Sequence, residues 1–202
     1  MDYNTFPETH ETFFARLEPW MAPKNLLTVK IGYQLAKSGH RYQTRKQCDA
    51  NGTPVRYFNH PRSVAIFLID TLGVREVRPI LCGLLHDTLE DTRITAEMIE
   101  HLFGEQVASD VKLLSKLPKE GYYERLEKYG NMNVWMVKIS DRIDNLRSME
   151  GLDESFKNRQ KEETYKKIYP IIRLMEQNVS NEKENQQTKT LYNFLSAEMG
   201  KL

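Results

Sequence analysis

The spacing of apolar side chains restricts the fold of this chain more than any other feature of its sequence. Apolar residues recur at intervals of three and four, whereas Val, Ile and Thr show no sustained alternation of the kind that marks β-strands. We therefore predict an all-α fold, a compact multi-helix bundle without a sheet. The predicted helices span residues 25–38, 61–72, 75–91, 95–103, 105–116, 122–129, 132–149, 158–177 and 183–199.

Single residues mark several of the predicted helix boundaries. Gly73 and Gly104 lie where helices should stop, because glycine readily adopts the left-handed backbone that ends a helix. Thr95 is a predicted N-cap, since its hydroxyl can accept a hydrogen bond from an N–H of the first turn. Pro170 should kink or split helix 158–177, because proline lacks the N–H that the helix requires.

The composition excludes several classes of protein. With 202 residues, of which 40% are hydrophobic, the chain can bury the core of one domain. Its net charge of +1 offers no basic surface for nucleic acid, and no apolar stretch reaches the length of a membrane span. Two cysteines cannot build a disulfide framework and the N-terminus lacks a signal pattern, so we expect a cytoplasmic protein with Cys82 in its core.

We divide the chain into a main domain and two terminal appendages. Residues 1–24 form a predicted N-terminal helical extension, residues 25–177 the main domain, and residues 178–202 a helical tail. The apolar stripes of both appendages either pack back on the domain or form a contact between subunits, and we favour packing for the tail because terminal helices usually dock. The stripes comprise Phe6, Phe13, Phe14, Leu17, Trp20 and Met21, and Leu191, Tyr192, Phe194, Leu195 and Met199.

Four ionisable side chains follow one another closely after an apolar run that should be buried. They are His86, Asp87, Glu90 and Asp91, and helical spacing would place His86 with Glu90 on one face, as it would Asp87 with Asp91. Carboxylates this close repel one another unless a cation or bound protons neutralise them. The segment therefore predicts a metal site, and the alternative is a solvated acidic helix end.

Two further residues can complete a metal site from other helices. His60 precedes Pro61, which suits the first turn of a helix and biases His60 itself away from helical geometry. Asp141 shares a polar strip with Lys138, Arg142 and Asn145 on helix 132–149. Two imidazoles with two carboxylates suit manganese, iron or zinc more than calcium, and an octahedral ion would keep positions open for water and substrate. Alternatively, Asp141 simply pairs with Arg142 or Arg45.

Several polar motifs occur in a fixed order along the chain, namely His60-Pro61, His86-Asp87, Glu90-Asp91 and Asp141-Arg142 with Asn145. This ordered set resembles the HD-domain hydrolases of alarmone metabolism, which are the hydrolase halves of RelA/SpoT-type enzymes and the stand-alone small alarmone hydrolases. Residues 36–46 look like the family's helix that ends in an Arg-Lys pair, and residues 52–54 are similar to its entry loop. The resemblance covers roughly residues 25 to 175.

The resemblance implies an HD-domain bundle with a metal site between its helices, and it implies a role for each matching residue. Glu90 and Asp91 match the acidic pair that activates the attacking water. One divalent ion, typically Mn²⁺, is implied to bind the four residues His60, His86, Asp87 and Asp141. For the substrate, the resemblance implies that the base is flanked by Arg45 and Lys46, that the ribose lies near Asn145, and that the phosphates meet Lys119.

The implied reaction removes the 3′-pyrophosphate from guanosine alarmones (ppGpp and pppGpp). Two departures from the family leave the substrate open: Asp144 replaces a common His or Tyr, and the segment 47–56, beside the implied base pocket, is slightly longer than usual. The alternatives are another nucleotide, such as an adenosine alarmone, a deoxynucleotide or NADPH, or a non-catalytic nucleotide-sensing module. A homo-oligomer and a cognate alarmone-producing toxin stay open as partners.

Overall fold

A computed structural model describes residues 9–48, 52–149 and 151–202. Its helices are joined by short turns, and the all-α prediction is confirmed for the bundle as a whole. The elements are α1 (His10–Ala15), α2 (Pro23–Gly39), β1 (Thr44–Cys48), β2 (Pro54–Arg56), α3 (Asn59–Ile66), a π-helical turn (Phe67–Thr71), α4 (Val77–Leu85), α5 (Thr88–Asp91), α6 (Ala96–Phe103), α7 (Glu105–Leu114), α8 (Tyr122–Tyr129), α9 (Met132–Arg147), α10 (Glu154–Glu163), a second π-helical turn (Thr164–Ile168), α11 (Tyr169–Asn178) and α12 (Glu182–Lys201).

Helix α9 lies at the centre of the bundle, where it packs against α3, α4, α7, α11 and α12. Its apolar residues Val137, Ile139 and Ile143 are fully buried, as their spacing predicts. Lys138 and Asp141 on its polar strip are buried as well. Charged residues are unusual on a helix that is covered on all sides, because burying a charge costs free energy unless the charge is paired.

The residues predicted to begin and end helices do so. The Thr95 hydroxyl accepts the Met98 N–H at 3.3 Å at the start of α6. Gly73 and Gly104 have φ angles of 62° and 89°, values at which a side chain would strain the backbone. Pro170 lies in the first turn of α11, directly after the π-helical turn that separates it from α10.

A small β-hairpin contradicts the prediction that the chain contains no sheet. Strands β1 and β2 pair antiparallel, with Thr44 opposite Arg56 and Cys48 opposite Pro54. The strands are short and their register shifts between these two pairs, so no alternating pattern can develop along the sequence. Helix α2 consequently ends at Gly39, and the expected helix carrying Arg45 and Lys46 is a strand. Residues 49–51 of the longer segment 47–56 lie outside the described residues.

The predicted helix 75–91 is divided into α4 and α5 at His86 and Asp87. Two carbonyls of the last turn of α4 contact side chains. The Thr88 hydroxyl donates to the Leu85 carbonyl at 2.6 Å, and His86 Nδ1 lies 2.9 Å from the Gly83 carbonyl. Such side-chain bonds compete with the main-chain ladder of a continuous helix. The Asp91 N–H still bonds the Asp87 carbonyl at 3.1 Å, so the i, i+4 spacing of Asp87 and Asp91 is kept. The Glu90 N–H bonds the Asp87 carbonyl at 3.2 Å.

Helices α3 and α4 approach each other closely at Gly83. A Cβ atom at this position would lie 2.9 Å from Leu68 Cδ1 and 3.4 Å from the Ala65 Cα of α3. Glycine therefore permits a packing distance that a larger residue would increase. His60 begins α3 and His86 follows α4, and the Nε2 atoms of their two rings lie 3.2 Å apart.

Both terminal segments pack on the bundle in the described part of the chain. Phe13, Phe14 and Leu17 are buried and the two phenyl rings contact Tyr33 of α2. Leu191 and Leu195 of α12 are fully buried against the bundle. Phe6, which belongs to the predicted N-terminal stripe, lies outside the described residues. No helix among the described residues is long and apolar enough to cross a membrane.

Asp110 on α7 is a buried carboxylate that joins three helices. It accepts hydrogen bonds from Arg78 of α4 at 2.6 and 2.8 Å. It also accepts from Asn131, the N-cap of α9, at 2.9 Å. Cys82 is buried beside it, as predicted, with its sulfur 3.8 Å from the carboxylate.

We expect Asp110→Ala to lower the free energy of unfolding by about 2–4 kcal/mol, because Arg78 and Asn131 lose a buried acceptor while Arg78 stays partly hydrated. Urea unfolding followed by circular dichroism measures the change. The matched control is Asp70→Ala, which removes a half-exposed partner of Arg16 and should cost less than about 1 kcal/mol. Equal costs for both variants would contradict the role of Asp110.

Candidate metal and active site

Four side chains predicted as metal ligands converge at one point inside the bundle. The Nε2 atom of His60 lies 3.2 Å from His86 Nε2, 3.4 Å from Asp87 Oδ2 and 3.2 Å from Asp141 Oδ1. His86 Nε2 lies 3.0 Å from Asp87 Oδ2 and 3.8 Å from Asp141 Oδ1. These donors come from α3, from the break between α4 and α5, and from α9. Residues far apart in the sequence thus form one cluster.

The donor set fits a divalent ion. An octahedral ion with metal–ligand distances of about 2.1 Å holds neighbouring ligands about 3 Å apart, close to the separations found here. One ligand atom each from His60, His86 and Asp141 lies within 4.8 Å of the others, and all three residues are buried. Two nitrogen and two oxygen donors suit manganese, iron or zinc.

The electrostatics of the cluster favour a positive charge at its centre. Burial favours the uncharged imidazole of His60, but hydrogen bonds to Asp141, Asp144 and Asp87 outweigh burial and raise its pKa well above the usual range. Burial would lower the pKa of His86, but the charge of Asp87, its hydrogen bond and the charge of Asp141 together raise it. A divalent cation would replace the protons that the carboxylates otherwise attract to these rings.

The carboxylates of the cluster show the opposite change. Burial alone would raise the pKa of Asp87, but the charge of His86 and the hydrogen bond from His60 hold it well below the usual range. For Asp141, the charge of Lys138 is the largest influence against burial, and its pKa is likewise well below the usual range. Both shifts favour the ionised carboxylate, which is the form that binds a metal.

Each ligand is held by a second side chain or by the backbone. His60 Nδ1 lies 2.7 Å from Asp144 Oδ2, and His86 Nδ1 faces the Gly83 carbonyl. The Tyr57 hydroxyl donates to Asp87 Oδ2 at 2.7 Å. Such partners orient ligands and set which ring nitrogen faces the ion.

Asp141 has two partners on its own helix. Lys138 Nζ donates to its Oδ2 at 2.8 Å, and Asn145 Nδ2 donates to its Oδ1 at 2.6 Å. The ordinary pairing considered from the sequence, Asp141 with Arg142 or Arg45, does not occur among the described contacts. Arg142 pairs with Glu163 at 2.9 Å, and Arg45 pairs with Asp144 at 2.8 Å.

The two acidic residues predicted to activate water differ in their surroundings. Glu90 is half-buried, and its Oε1 accepts the backbone N–H of Lys116 at 2.6 Å. Burial is the main cause of a raised pKa at Glu90, and the charge of Asp87 adds to it. Asp91 is exposed, and its backbone carbonyl accepts a hydrogen bond from the Gln43 side chain. Only Glu90 thus has the buried setting expected of a tuned base.

Two of the predicted substrate-binding residues, Arg45 and Asn145, are hydrogen-bonded to each other beside the cluster. Arg45 on β1 donates to Asn145 Oδ1 at 3.0 Å and to the Ser148 hydroxyl at 2.8 Å, besides its pairing with Asp144. Asn145 therefore connects Arg45 to the ligand Asp141. Lys46, next along β1, is exposed and lies 5.1 Å from the centre of the Phe156 ring.

The described contacts do not connect Lys119 with the cluster. It lies exposed between α7 and α8, and its carbonyl accepts the Tyr122 N–H at 3.2 Å. The structure therefore neither joins it to the other predicted residues nor assigns it a partner for its ammonium group.

Some contributors to the site were not predicted from the sequence. Tyr57 and Ser63 carry no spacing signal. Tyr57 precedes α3 and contacts Asp87 at the break between α4 and α5, whereas Ser63 joins α3 to Asp144 of α9. Lys138 was visible as a member of the polar strip, three residues before Asp141, but not as its partner. His40, buried at the end of α2, is 2.7 Å from the Gln43 side chain, which in turn binds the α5 backbone.

Known proteins resemble this chain over most of its length. A guanosine-3′,5′-bis(diphosphate) 3′-pyrophosphohydrolase of Aquifex aeolicus is 34% identical over 180 residues, which are 84% of this chain and 25% of that protein. The human guanosine-3′,5′-bis(diphosphate) 3′-pyrophosphohydrolase MESH1 is 36% identical over 116 residues, 54% of this chain and 63% of MESH1. The chain thus spans about a quarter of the first relative and less than two thirds of the second.

A solved structure and a family model cover the same region. The structure, described as a metazoan ortholog of SpoT that hydrolyses ppGpp, superimposes with a TM-score of 0.61 and 22% identity over 82% of this chain and 94% of that one. This likeness shows a shared fold. The model of the HD domain matches residues 33–173, a range that contains all four converging ligands. The chain therefore belongs to the HD-domain family.

Proposed function

We propose that this chain is a metal-dependent hydrolase that removes the 3′-pyrophosphate from ppGpp and pppGpp, giving GDP or GTP and pyrophosphate. The observation that carries the proposal is the convergence of two imidazoles and two carboxylates inside the bundle, with the half-buried Glu90 three residues beyond Asp87. The names of the relatives in Aquifex aeolicus and human support the same reaction.

The proposed chemistry assigns a separate task to each group. A bound divalent ion would act as Lewis acid on a phosphate oxygen and lower the pKa of water. Glu90, whose raised pKa makes it a stronger base than an ordinary glutamate, positions the attacking water and takes its proton. We propose that Asp91 assists it. The water oxygen bonds to the phosphorus next to O3′, the P–O3′ bond breaks, and O3′ takes up a proton.

Substrate binding is proposed for the basic and amide side chains around the cluster. Arg45 and Lys46 flank the base, Asn145 approaches the ribose, and Lys119 meets the phosphates. The position of Arg45 and Asn145, hydrogen-bonded to each other beside a metal ligand, supports the first two assignments. Planar guanidinium groups stack well on flat bases.

We further propose Mn²⁺ as the resident ion, one per chain, and the cytoplasm as the location. The mixed nitrogen and oxygen donors support Mn²⁺, although iron and zinc share this preference. In the cytoplasm the enzyme would degrade alarmones made by other proteins. It would also neutralise an alarmone-producing toxin, because both would act on the same nucleotide.

A panel of nucleotides tests the proposed reaction. The Mn²⁺-loaded protein is incubated with ppGpp, an adenosine alarmone, a deoxynucleoside triphosphate and NADPH, and released pyrophosphate and orthophosphate are measured separately. We expect pyrophosphate and GDP from ppGpp at the highest kcat/KM. Orthophosphate from NADPH alone would assign a different substrate, and no product from any nucleotide would indicate a binding module.

We expect His86→Ala to abolish binding of the metal ion, because the variant lacks one of four converging donors. Elemental analysis should show near one ion per chain in the parent protein and far less in the variant. Metal binding adds to the stability of the folded state, so the rise in Tm on adding Mn²⁺ should also vanish. His101→Ala, at an exposed position of α6, is the control. Full metal content in His86→Ala would refute the site.

We expect Glu90→Gln to retain metal and substrate binding but to lower kcat by about two to four decades, the usual contribution of a positioned base. The amide keeps the volume and can still accept the Lys116 N–H. Asp91→Asn, measured in parallel, should lose less because Asp91 is exposed. Near-normal turnover in the double variant would show that neither carboxylate activates water.

We expect Lys46→Ala to raise KM for ppGpp about 10- to 100-fold, with metal content unchanged, because a charge-assisted contact with substrate is lost. Lys46 is a cleaner probe than Arg45, whose removal also leaves Asp144 without a cationic partner. Lys166→Ala, which removes an exposed lysine from the second π-helical turn, is the matched control. A KM equal to that of the control would show that Lys46 is an ordinary surface charge that does not contact the substrate.

A further inference from the structure

Asp144 occupies the position where this chain departs from the family that it resembles. It lies on α9, three residues after the proposed ligand Asp141, and its side chain is 14% exposed. Its Oδ2 lies 2.7 Å from His60 Nδ1 and accepts from Arg45 at 2.8 Å, and its Oδ1 accepts from the Ser63 hydroxyl at 2.5 Å. Both carboxylate oxygens are thus hydrogen-bonded within the protein, so the carboxylate is not presented to a nucleotide base.

The contact with His60 determines which nitrogen of that ring can bind a metal. An ionised carboxylate only accepts hydrogen bonds, so His60 Nδ1 must carry the proton in this contact. A neutral ring then has its lone pair on Nε2. This is the atom that lies 3.2 Å from His86 Nε2 and 3.2 Å from Asp141 Oδ1, at the centre of the cluster.

We propose that Asp144 is a positioning residue of the metal centre, which holds His60 in the tautomer and orientation that direct Nε2 at the ion. The inference rests on the proposed metal site and deepens it. Arg45 balances the charge of Asp144, and Ser63, one turn after His60 on α3, fixes the second oxygen. The carboxylate is therefore held from β1 and α3, while α9 carries its backbone.

The competing explanation is that Asp144 only joins the hairpin to α9 through its ion pair with Arg45. The two explanations differ in their effect on the affinity for metal. Loss of a carboxylate that orients a histidine ligand weakens metal binding about 10- to 100-fold. Loss of a link between the hairpin and α9 lowers the stability of the fold but leaves the donor atoms of the metal site in place.

The test measures Mn²⁺ affinity of the full chain by titrating metal-free protein and following free Mn²⁺ by electron paramagnetic resonance. We expect Asp144→Ala to weaken the affinity about 10- to 100-fold. Asp144→Asn keeps the volume and one acceptor oxygen, so it should bind with intermediate affinity, and it serves if the alanine variant does not fold. Ser148→Ala is the matched control, because it removes another acceptor of Arg45 without touching His60.

A spectroscopic measurement addresses the tautomer directly. In Zn²⁺-loaded protein with ¹⁵N-labelled histidine, His60 should show a protonated Nδ1 and an unprotonated Nε2, with the Nδ1 proton protected from exchange. Asp144→Asn should weaken that protection, whereas Ser148→Ala should preserve it. A purely structural link between β1 and α9 would not change this signal.

The outcomes separate the inference from the proposed function on which it rests. Parent-like Mn²⁺ affinity in both Asp144 variants would overturn the positioning role while leaving the metal site intact. An equal loss of affinity in Ser148→Ala would also overturn it, because the effect would then come from general packing. Absence of Mn²⁺ and Zn²⁺ binding in the parent protein would overturn the proposed function together with the inference.

Discussion

The compensation of buried charge in and around helix α9 is the constraint on which the rest of the structure depends. Lys138, Asp141 and Arg142 are nearly inaccessible to solvent, and burying a charge costs several kcal/mol unless it is paired and hydrogen-bonded. Their partners come from several elements: His60 from α3 binds Asp141, and Glu163 from α10 binds Arg142. The helices are therefore placed by polar contacts as well as by the apolar core.

The metal cluster depends on two departures from regular helical packing. The break between α4 and α5 brings His86 Nε2 and Asp87 Oδ2 to 3.0 Å. The second departure is the close approach of α3 and α4 at Gly83, whose carbonyl lies 2.9 Å from His86 Nδ1. The geometry of the cluster thus follows from features of the backbone as well as from the side chains.

The hairpin and the metal cluster are connected through α9. Arg45 of β1 donates to Asp144, Asn145 and Ser148. Asp144 and Asn145 in turn contact the proposed ligands His60 and Asp141. A nucleotide bound beside β1 would therefore contact a residue that is two hydrogen bonds away from a ligand. This arrangement gives a physical basis for coupling substrate binding to the order of the cluster, and it relies on the same carboxylate that balances the charge of Arg45.

The sequence by itself determined the helical class, most helix boundaries and the types of donor at the site, because these properties follow from local spacing and from the chemistry of single residues. Thr95 caps the start of α6, Gly104 ends it, and Pro170 lies in the first turn of α11. Only the tertiary structure decided the hairpin, the division of helix 75–91 and the partners of the charged residues. Arg45 and Asp144 are separated by 99 positions, so no local pattern could pair them; long-range packing brings them into contact and decides which charges are neutralised.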